Sequence, residues 1–552
     1  MIRNRLKQLV DRCFTDGVEQ GLWSAGATGR YTVEVPKHDN QGDFSTNIAL
    51  IMAGLEKRNP RELATRFVAM LEEEKELIDG IAIAGPGFIN ITIKRSVWQQ
   101  MVAAVEAAGE NYGLSQVGGG RRVMVEFVSA NPTGPLSVGH GRQAILGDAI
   151  ARLLEATGHQ VYREYYYNNA GRQMRVLGES VQARYLELLG RPASFPEDGY
   201  QGEYIYDIAR ELVSEVADGL VDSDTIEPFQ RRAEAAIFKD IAATLARLGI
   251  VFDNYFNERS LYEDGLIDEV VAELRGKDLV YDQDGATWFR TSRFGQEKDR
   301  VIIKSSGEPT YRLPDIAYHR EKFRRDFDWL IDIFGSDHIA TVPDVLAGVT
   351  ALGYDVSKVT VILHQFVTLM RDGKQVKMST RKATFVTVDE LLDEVGADAA
   401  RFFFMMRKPD SQLEFDLDLA ASQSQENPVY YVQYGHARLC SILRQAVEKG
   451  LTPPAAGAVD AALLVEDEEI ELLKALAAFP ALIEGAALEL EPHRVIFYLM
   501  ELAGRLHSYY NKHRVIGDDQ ALSQARLGLV LALRTVFRNG LRIIGLTAPE
   551  TM

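Results

Sequence analysis

Two short segments carry the side chains and spacing that nucleotide chemistry needs. The first is Asn131-Pro132-Thr133-Gly134-Pro135-Leu136-Ser137-Val138-Gly139-His140-Gly141-Arg142. It follows an apolar run and opens a helical pattern. Free backbone N–H groups and the dipole at such a helix start attract phosphate. Gly139 and Gly141 let a nucleotide approach the main chain closely, and His140 adds a donor. Neither GxxxxGK(S/T) nor GxGxxG occurs in this segment, so the common phosphate-loop and dinucleotide fingerprints are absent. The competing reading is a plain strand–loop–helix corner with an exposed histidine. The second segment is Lys377-Met378-Ser379-Thr380-Arg381-Lys382, a basic loop after Val367-Thr368-Leu369-Met370. Cations on a loop suit a leaving pyrophosphate, where negative charge builds in the transition state. The competing reading is a solvated basic turn. Tyr311 and Asp315 are four apart, which on a helical turn puts them on one face.

The surrounding elements are readable from hydrophobic period. Residues 123–128 form a short apolar run typical of a buried strand, 129–136 are a proline- and glycine-bearing loop, 138–157 have helical period, and 160–167 are strand-like again. That β-loop-α-β unit begins a doubly wound parallel sheet. Further strands are expected at 301–303, 329–334 and 359–363, and residues 172–250 read as charged helices. Residues 1–110 read as a small α+β unit, with Leu6, Leu9, Val10 and Phe14 on one helical face and Gly85-Pro86-Gly87 breaking an apolar run. From 427 onward the pattern is helical near 429–447, 462–488, 491–514 and 521–545, a helix bundle.

Composition bounds the rest. A chain of 552 residues is too long for one core, so about three to five structural units are expected. Hydrophobic residues make up 46% and charged residues 25%, so large cores can form. The net charge of −18 speaks against a surface coated in basic charge, yet phosphate contacts need only a local patch. Such a patch is suggested by the arginines between Arg494 and Arg542, with Tyr430, Tyr431, Tyr434, Tyr498, Tyr509 and Tyr510 nearby. Aromatics with cations suit splayed-out bases, and equally suit an ordinary bundle core with solvated arginines. Cys13 and Cys440 are the two cysteines, far apart and without CxxC spacing, so no thiolate zinc site is expected and a reducing cytoplasm fits. No apolar signal core opens the chain and no membrane span is expected.

Taken as a pair, residues 137–140 and 377–381 resemble the HIGH and KMSKS signatures of class I aminoacyl-tRNA synthetases. Val125-Glu126-Phe127-Val128-Ser129-Ala130-Asn131-Pro132-Thr133-Gly134-Pro135, Tyr166-Tyr167-Asn168-Asn169-Ala170-Gly171-Arg172-Gln173-Met174 and Thr310-Tyr311-Arg312-Leu313-Pro314-Asp315-Ile316-Ala317-Tyr318-His319 resemble the arginyl family. Gly42-Asp43-Phe44-Ser45-Thr46-Asn47, Gly85-Pro86-Gly87-Phe88-Ile89-Asn90 and Gln433-Tyr434-Gly435-His436-Ala437-Arg438 extend the likeness over essentially the full length. The resemblance implies a multidomain α/β protein in three parts. Residues 1–116 would be an N-terminal α+β tRNA-binding domain, and 427–552 an all-α anticodon-binding domain. Between them, 121–426 would be a Rossmann-like catalytic domain with a helical insertion at about 172–250.

The implied activity is ATP-dependent formation of arginyl-adenylate and its transfer to the terminal adenosine of tRNA(Arg). His140, Ser137, Lys377, Ser379 and Arg381 would be catalytic. Gly139, His140, Gly141, Asp337, Lys377 and Met378 would hold ATP. Ser129, Asn131, Glu258, Tyr311, Asp315 and His338 would hold arginine, and Phe88, Asn90, Tyr431, Tyr434 and Tyr510 the tRNA. Mg²⁺ would accompany ATP, no structural zinc is expected, and the family suggests a cytoplasmic monomer. Three positions depart from the family pattern: Ser137 replaces the first His of HIGH, Thr380 the second Lys of KMSKS, and Ser306 an Asp before Gly307. Three alternatives share some of these features. They are a class I synthetase for another amino acid, an inactive RNA-binding paralogue, and a small-molecule adenylyltransferase.

Overall fold

The computed structural model describes residues 2–72, 76–376, 386–455 and 457–552. The chain opens with α1 (Ile2–Glu19), which buries Leu6, Leu9, Val10 and Phe14 along one face. Strands β1 (Val33–Glu34) and β2 (Phe44–Thr46) follow, then α2 (Ile48–Glu56) and α3 (Pro60–Leu71). The pair β3 (Ile78–Ala84) and β4 (Phe88–Ile93) completes an antiparallel sheet in the order β1-β2-β4-β3. Gly87 in the β3–β4 turn has φ 147°, and a Cβ there would press within 3.2 Å of the Pro60 backbone, so only glycine suits the turn. Short helices α4 (Arg95–Gln99) and α5 (Met101–Ala108) lead out of this unit.

The central unit begins with β5 (Arg122–Glu126), α6 (Val138–Ala156) and β6 (Gln160–Tyr167). Helices α7 (Gly171–Leu188), α8 (Glu203–Val216) and α9 (Glu227–Arg247) precede β7 (Asn254–Asn257). After α10 (Arg259–Glu263) and α11 (Leu266–Gly276) come β8 (Val280–Gln283), β9 (Ala286–Phe289) and β10 (Arg300–Ile303), a separate antiparallel sheet. The main sheet resumes through α12 (Arg312–Arg324), β11 (Trp329–Gly335), α13 (Val342–Ala351) and β12 (Val359–His364). Its order is β12-β11-β5-β6-β7, and every pair in it is parallel. The chain leaves β5 first to one side and then to the other. The switch point between β5 and β11 is where such sheets bind ligands, at the carboxyl ends of the strands.

A small sheet of β13 (Val367–Arg371), β14 (Lys374–Gln375) and β15 (Leu413–Asp416) encloses α14 (Val388–Met405) in sequence and leads to α15 (Leu417–Ala421). The chain ends in a bundle of α16 (Pro428–Glu448), α17 (Asp467–Leu488), α18 (His493–Lys512) and α19 (Gln520–Ile543), with no strand among its described residues. Among the described residues no helix is long and apolar enough to cross a membrane.

One element differs from the hydrophobic pattern. The apolar run 123–128 overshoots its strand: β5 stops at Glu126, and Val128 and Ser129 turn away with φ of 70° and 42°. The run at 301–303 is a strand as expected, β10, and its partner is β9 in the separate antiparallel sheet, a pairing that period alone cannot name.

Candidate active site

The helix α6 is held from all sides. Arg142 is buried and donates to the carbonyls of Gln365 at 2.6 Å, Ser411 at 2.9 Å and Lys408 at 3.0 Å. Arg401 of α14 donates to buried Asp148 at 2.6 Å. Gly147 lies against the Phe127 ring, where any Cβ would overlap it. The amino end of α6 is thereby fixed at the switch point.

A cleft of about 680 Å³ opens there. It is lined by Ser129, Asn131, Ser137, Gly139 and His140 from the β5–α6 segment, by Glu258 before α10, by Tyr311 and Asp315 at the start of α12, and by Asp337 and His338 after β11. The structure thus brings together most of the residues expected to meet ATP and arginine. Gly141 is not among them. It is buried, and a Cβ on it would sit 2.9 Å from Val388, so this glycine serves the packing of α6 on α14 rather than a nucleotide. Lys377, Met378, Ser379, Thr380 and Arg381 lie outside the described residues.

Positive φ at a β-branched residue is costly, and such strain concentrates at working sites. Here it aims Ser129, whose Oγ donates to Glu126 Oε1 at 2.9 Å and accepts from the Tyr166 N–H at 3.2 Å. Asn131 is held likewise: its Oδ1 accepts from Asn168 N at 2.9 Å and its Nδ2 donates to Gln173 at 3.1 Å.

Ser137 is the N-cap of α6 and His140 its third residue. The Ser137 N–H donates to His140 Nδ1 at 3.2 Å. An amide can only donate, so Nδ1 is bare and the ring proton sits on Nε2. Burial lowers the His140 pKa, which favours this neutral tautomer. The result is an N–H donor at a helix amino end, suited to a phosphate oxygen. Ser137 Oγ lies 3.2 Å from the same Nδ1, so both the amide and the hydroxyl of this N-cap residue face the His140 ring.

The opposite side of the cleft is acidic. Glu258 accepts from Tyr166 Oη at 2.6 Å and Asn168 Nδ2 at 2.8 Å, and burial raises its pKa against those bonds. The Asp315 carboxylate has no hydrogen-bond donor among the described residues, and burial pushes its pKa up to about 7. A carboxylate lining a cleft with no ion pair of its own invites a cation, although Lys322 and His319 farther along α12 offset part of the burial effect. Tyr311 is 61% exposed at the mouth. His338 stacks on Phe334 at 5.1 Å beside exposed Asp337.

Family models match three successive stretches. They are the arginyl-tRNA synthetase N-terminal domain at 2–93, the class I (R) tRNA synthetase catalytic domain at 102–423, and the DALR anticodon-binding domain at 432–552. An arginine–tRNA ligase of Desulfotalea psychrophila is 70% identical over 552 residues, covering 100% of both chains. The chain belongs to the arginyl-tRNA synthetase family. A second family member, from Citrifermentans bemidjiense, is 47% identical and covers 99% of this chain and 100% of its own. The solved arginyl-tRNA synthetase of Thermus thermophilus, at 22% identity, shares the fold over 100% of both chains with a TM-score of 0.77.

Residues expected at the tRNA surface fare unevenly. Phe88 is 41% exposed on β4, whereas Asn90 is 8% exposed, covered within the sheet opposite Ser45 and Ala82. Tyr431, Tyr434 and Tyr510 are half-buried in one cluster: Tyr431 and Tyr434 pack on His507, and Arg438 lies 4.3 Å over Tyr510. The basic block is less basic than its sequence. Arg505 pairs with Glu471 and Glu501, Lys512 with Glu468, and Arg526 is buried on Glu469. Acids of α17 consume those charges, which a local count cannot show.

Sequence reading also missed a buried ionic core beneath the cleft, formed by Glu126, Glu164, His319, Lys322 and Asp332. A usable signal existed for two of them: a lone acid interrupts an apolar run, as Glu126 does between Val125 and Phe127 and Asp332 between Ile331 and Ile333.

Proposed function

We propose that this cleft performs the arginine–tRNA ligase reaction with the residues that line it. Arginine lies with its α-amino and carboxylate end at Ser129 and Asn131 and its guanidinium between Asp315 and Glu258, under Tyr311. The observation that carries this reading is the unpaired Asp315 carboxylate, enclosed in the same cleft as His140. A guanidinium is a planar fork of donors that matches carboxylates in two-point geometry.

ATP lies across the amino end of α6, with His140 Nε2–H and Gly139 at its phosphates and Asp337 at the ribose hydroxyls; His338 adds a polar contact to the amino acid. The arginine carboxylate attacks the α-phosphorus, giving arginyl-adenylate and pyrophosphate. The 2′-hydroxyl of the terminal adenosine of tRNA(Arg) then attacks the adenylate carbonyl and releases AMP. No protein nucleophile is required. Positioning and charge stabilisation suffice, with Lys377, Ser379, Arg381 and Met378 acting on the pyrophosphate side. Among the described residues no group of three or more acidic, His or Cys side chains could cage a metal. Mg²⁺ enters on the triphosphate, as part of the ATP substrate. The Tyr434–His507–Arg438 cluster offers stacking faces for anticodon bases, and Phe88 a contact for the tRNA corner. The enzyme acts as a cytoplasmic monomer. Charging of tRNA(Arg) with radiolabelled arginine tests the proposal, with Asp315→Ala as control. Charging with a different amino acid, or undiminished charging by the control, would overturn it.

A further inference from the structure

Three carboxylates lie side by side across the middle of the catalytic sheet. Asp332 of β11, Glu126 of β5 and Glu164 of β6 occupy one register row, and all three are buried. Like charges directly opposite on neighbouring strands repel, and burying each is expensive. Two cations answer the row, one from α12 and one from the turn after it. Lys322 Nζ, fully enclosed, donates to Glu126 at 2.5 Å and to Asp332 at 2.6 Å. Burial works against this ammonium, and the two carboxylates outweigh it and hold its pKa above the ordinary value. Arg325 grips Glu164 at 2.6 Å and 2.7 Å.

Asp315, His319 and Lys322 are spaced i, i+4, i+7 on α12 and share one face. His319 meets Asp332 at 2.9 Å and the Asp315 carbonyl at 2.8 Å. At the far end Ser129 donates to Glu126 at 2.9 Å. A continuous chain of contacts, Ser129–Glu126–Lys322–Asp332–His319, therefore joins the strand end that faces one end of the substrate to the helix that carries Asp315. We infer that Lys322 is a positioning residue that sets the distance between Ser129 and Asp315, and so the length of the amino acid the cleft accepts. The inference rests on the placement of arginine proposed above. Lys322 touches no substrate; it acts through the two carboxylates.

The test compares arginine with homoarginine, one methylene longer, in tRNA(Arg) charging by the full-length enzyme. A methylene mismatch in a fitted pocket is worth about 10- to 200-fold. In K322M the KM for arginine rises by about tenfold or more, the preference for arginine over homoarginine in kcat/KM falls by about tenfold, and the KM for ATP stays within about threefold. A merely structural lysine would lower kcat for both amino acids alike and leave their ratio untouched. K322M leaves two buried acids without their cation. Should it fail to fold, E126Q/K322M/D332N, which keeps the shape without the charges, carries the same comparison. An unchanged ratio in the folded variant overturns the inference. Wild-type enzyme that charges homoarginine as well as arginine overturns the placement of arginine itself, and the inference with it.

Discussion

Replacing Asp315 by Asn keeps the shape of the side chain and removes its charge. In the free enzyme this carboxylate is enclosed without a donor, and burial raises its pKa to about 7. When arginine binds, the guanidinium supplies the missing cation. Truncating one partner of such an enclosed pair costs about 3–5 kcal/mol, so kcat/KM for arginine falls by roughly two to three and a half orders of magnitude. The pH dependence follows with a definite sign. Arginine binds the ionised carboxylate and depresses its pKa, so binding releases a proton below about pH 7, and KM for arginine rises there by about tenfold per pH unit. Stability moves the other way. The folded-state pKa of about 7 lies above the ordinary 3.8, so the folded protein holds a proton that the unfolded chain releases, and stability falls as pH rises through that window. Asp315→Asn removes this penalty, and its melting temperature at pH 8 should exceed that of the wild type, by the equivalent of about 2 kcal/mol after allowing for water in the cleft. Steady-state charging from pH 6 to 8.5, with thermal melts of both proteins, reads all three effects. An arginine KM within twofold of wild type, or a slope below pH 7 that survives the substitution, would refute the role given to Asp315.

Other substitutions probe other parts of the reasoning. His140→Ala removes the Nε2–H donor at the amino end of α6 and should lower kcat by about 10²–10³-fold with little change in arginine KM; an intact kcat would mean that the ring does not meet the phosphates. Gly147→Ala drives a methyl into the Phe127 ring between α6 and β5, and such overpacking should cost about 1–3 kcal/mol in denaturant melts. No loss would show that the contact relaxes freely. Tyr434→Ala takes a stacking face from the cluster around His507 and should raise KM for tRNA(Arg) by about 5- to 100-fold. It should leave ATP binding by calorimetry as it was, and an unchanged tRNA KM would place the anticodon elsewhere on the bundle.

The fold was legible where burial leaves a local period. Residues 160–167 read as strand-like and form β6, and the helical stretches after 427 match α16 to α19 within a few residues. Family likeness, rather than period, supplied Glu258 and Asp315, because an isolated acid in a sequence is most often solvated. What could not be read is whatever depends on register between strands distant in the chain. Glu126 and Asp332 each break an apolar run, and each break announces a buried charge that needs a counter-ion, whereas Glu164 stands beside Arg163 and gives no such sign. The runs do not say that the three acids stand in one row, or that Lys322 and Arg325 serve them. Both facts arise only when β11 and β6 pair with β5 and α12 docks on top. The same cause explains the overcounted basic block, whose partners Glu468, Glu469 and Glu471 lie on the preceding helix. A lone acid inside an apolar strand is therefore a sequence signal for a buried ion pair, and the helix that answers it is a place to look for residues that position a substrate without touching it.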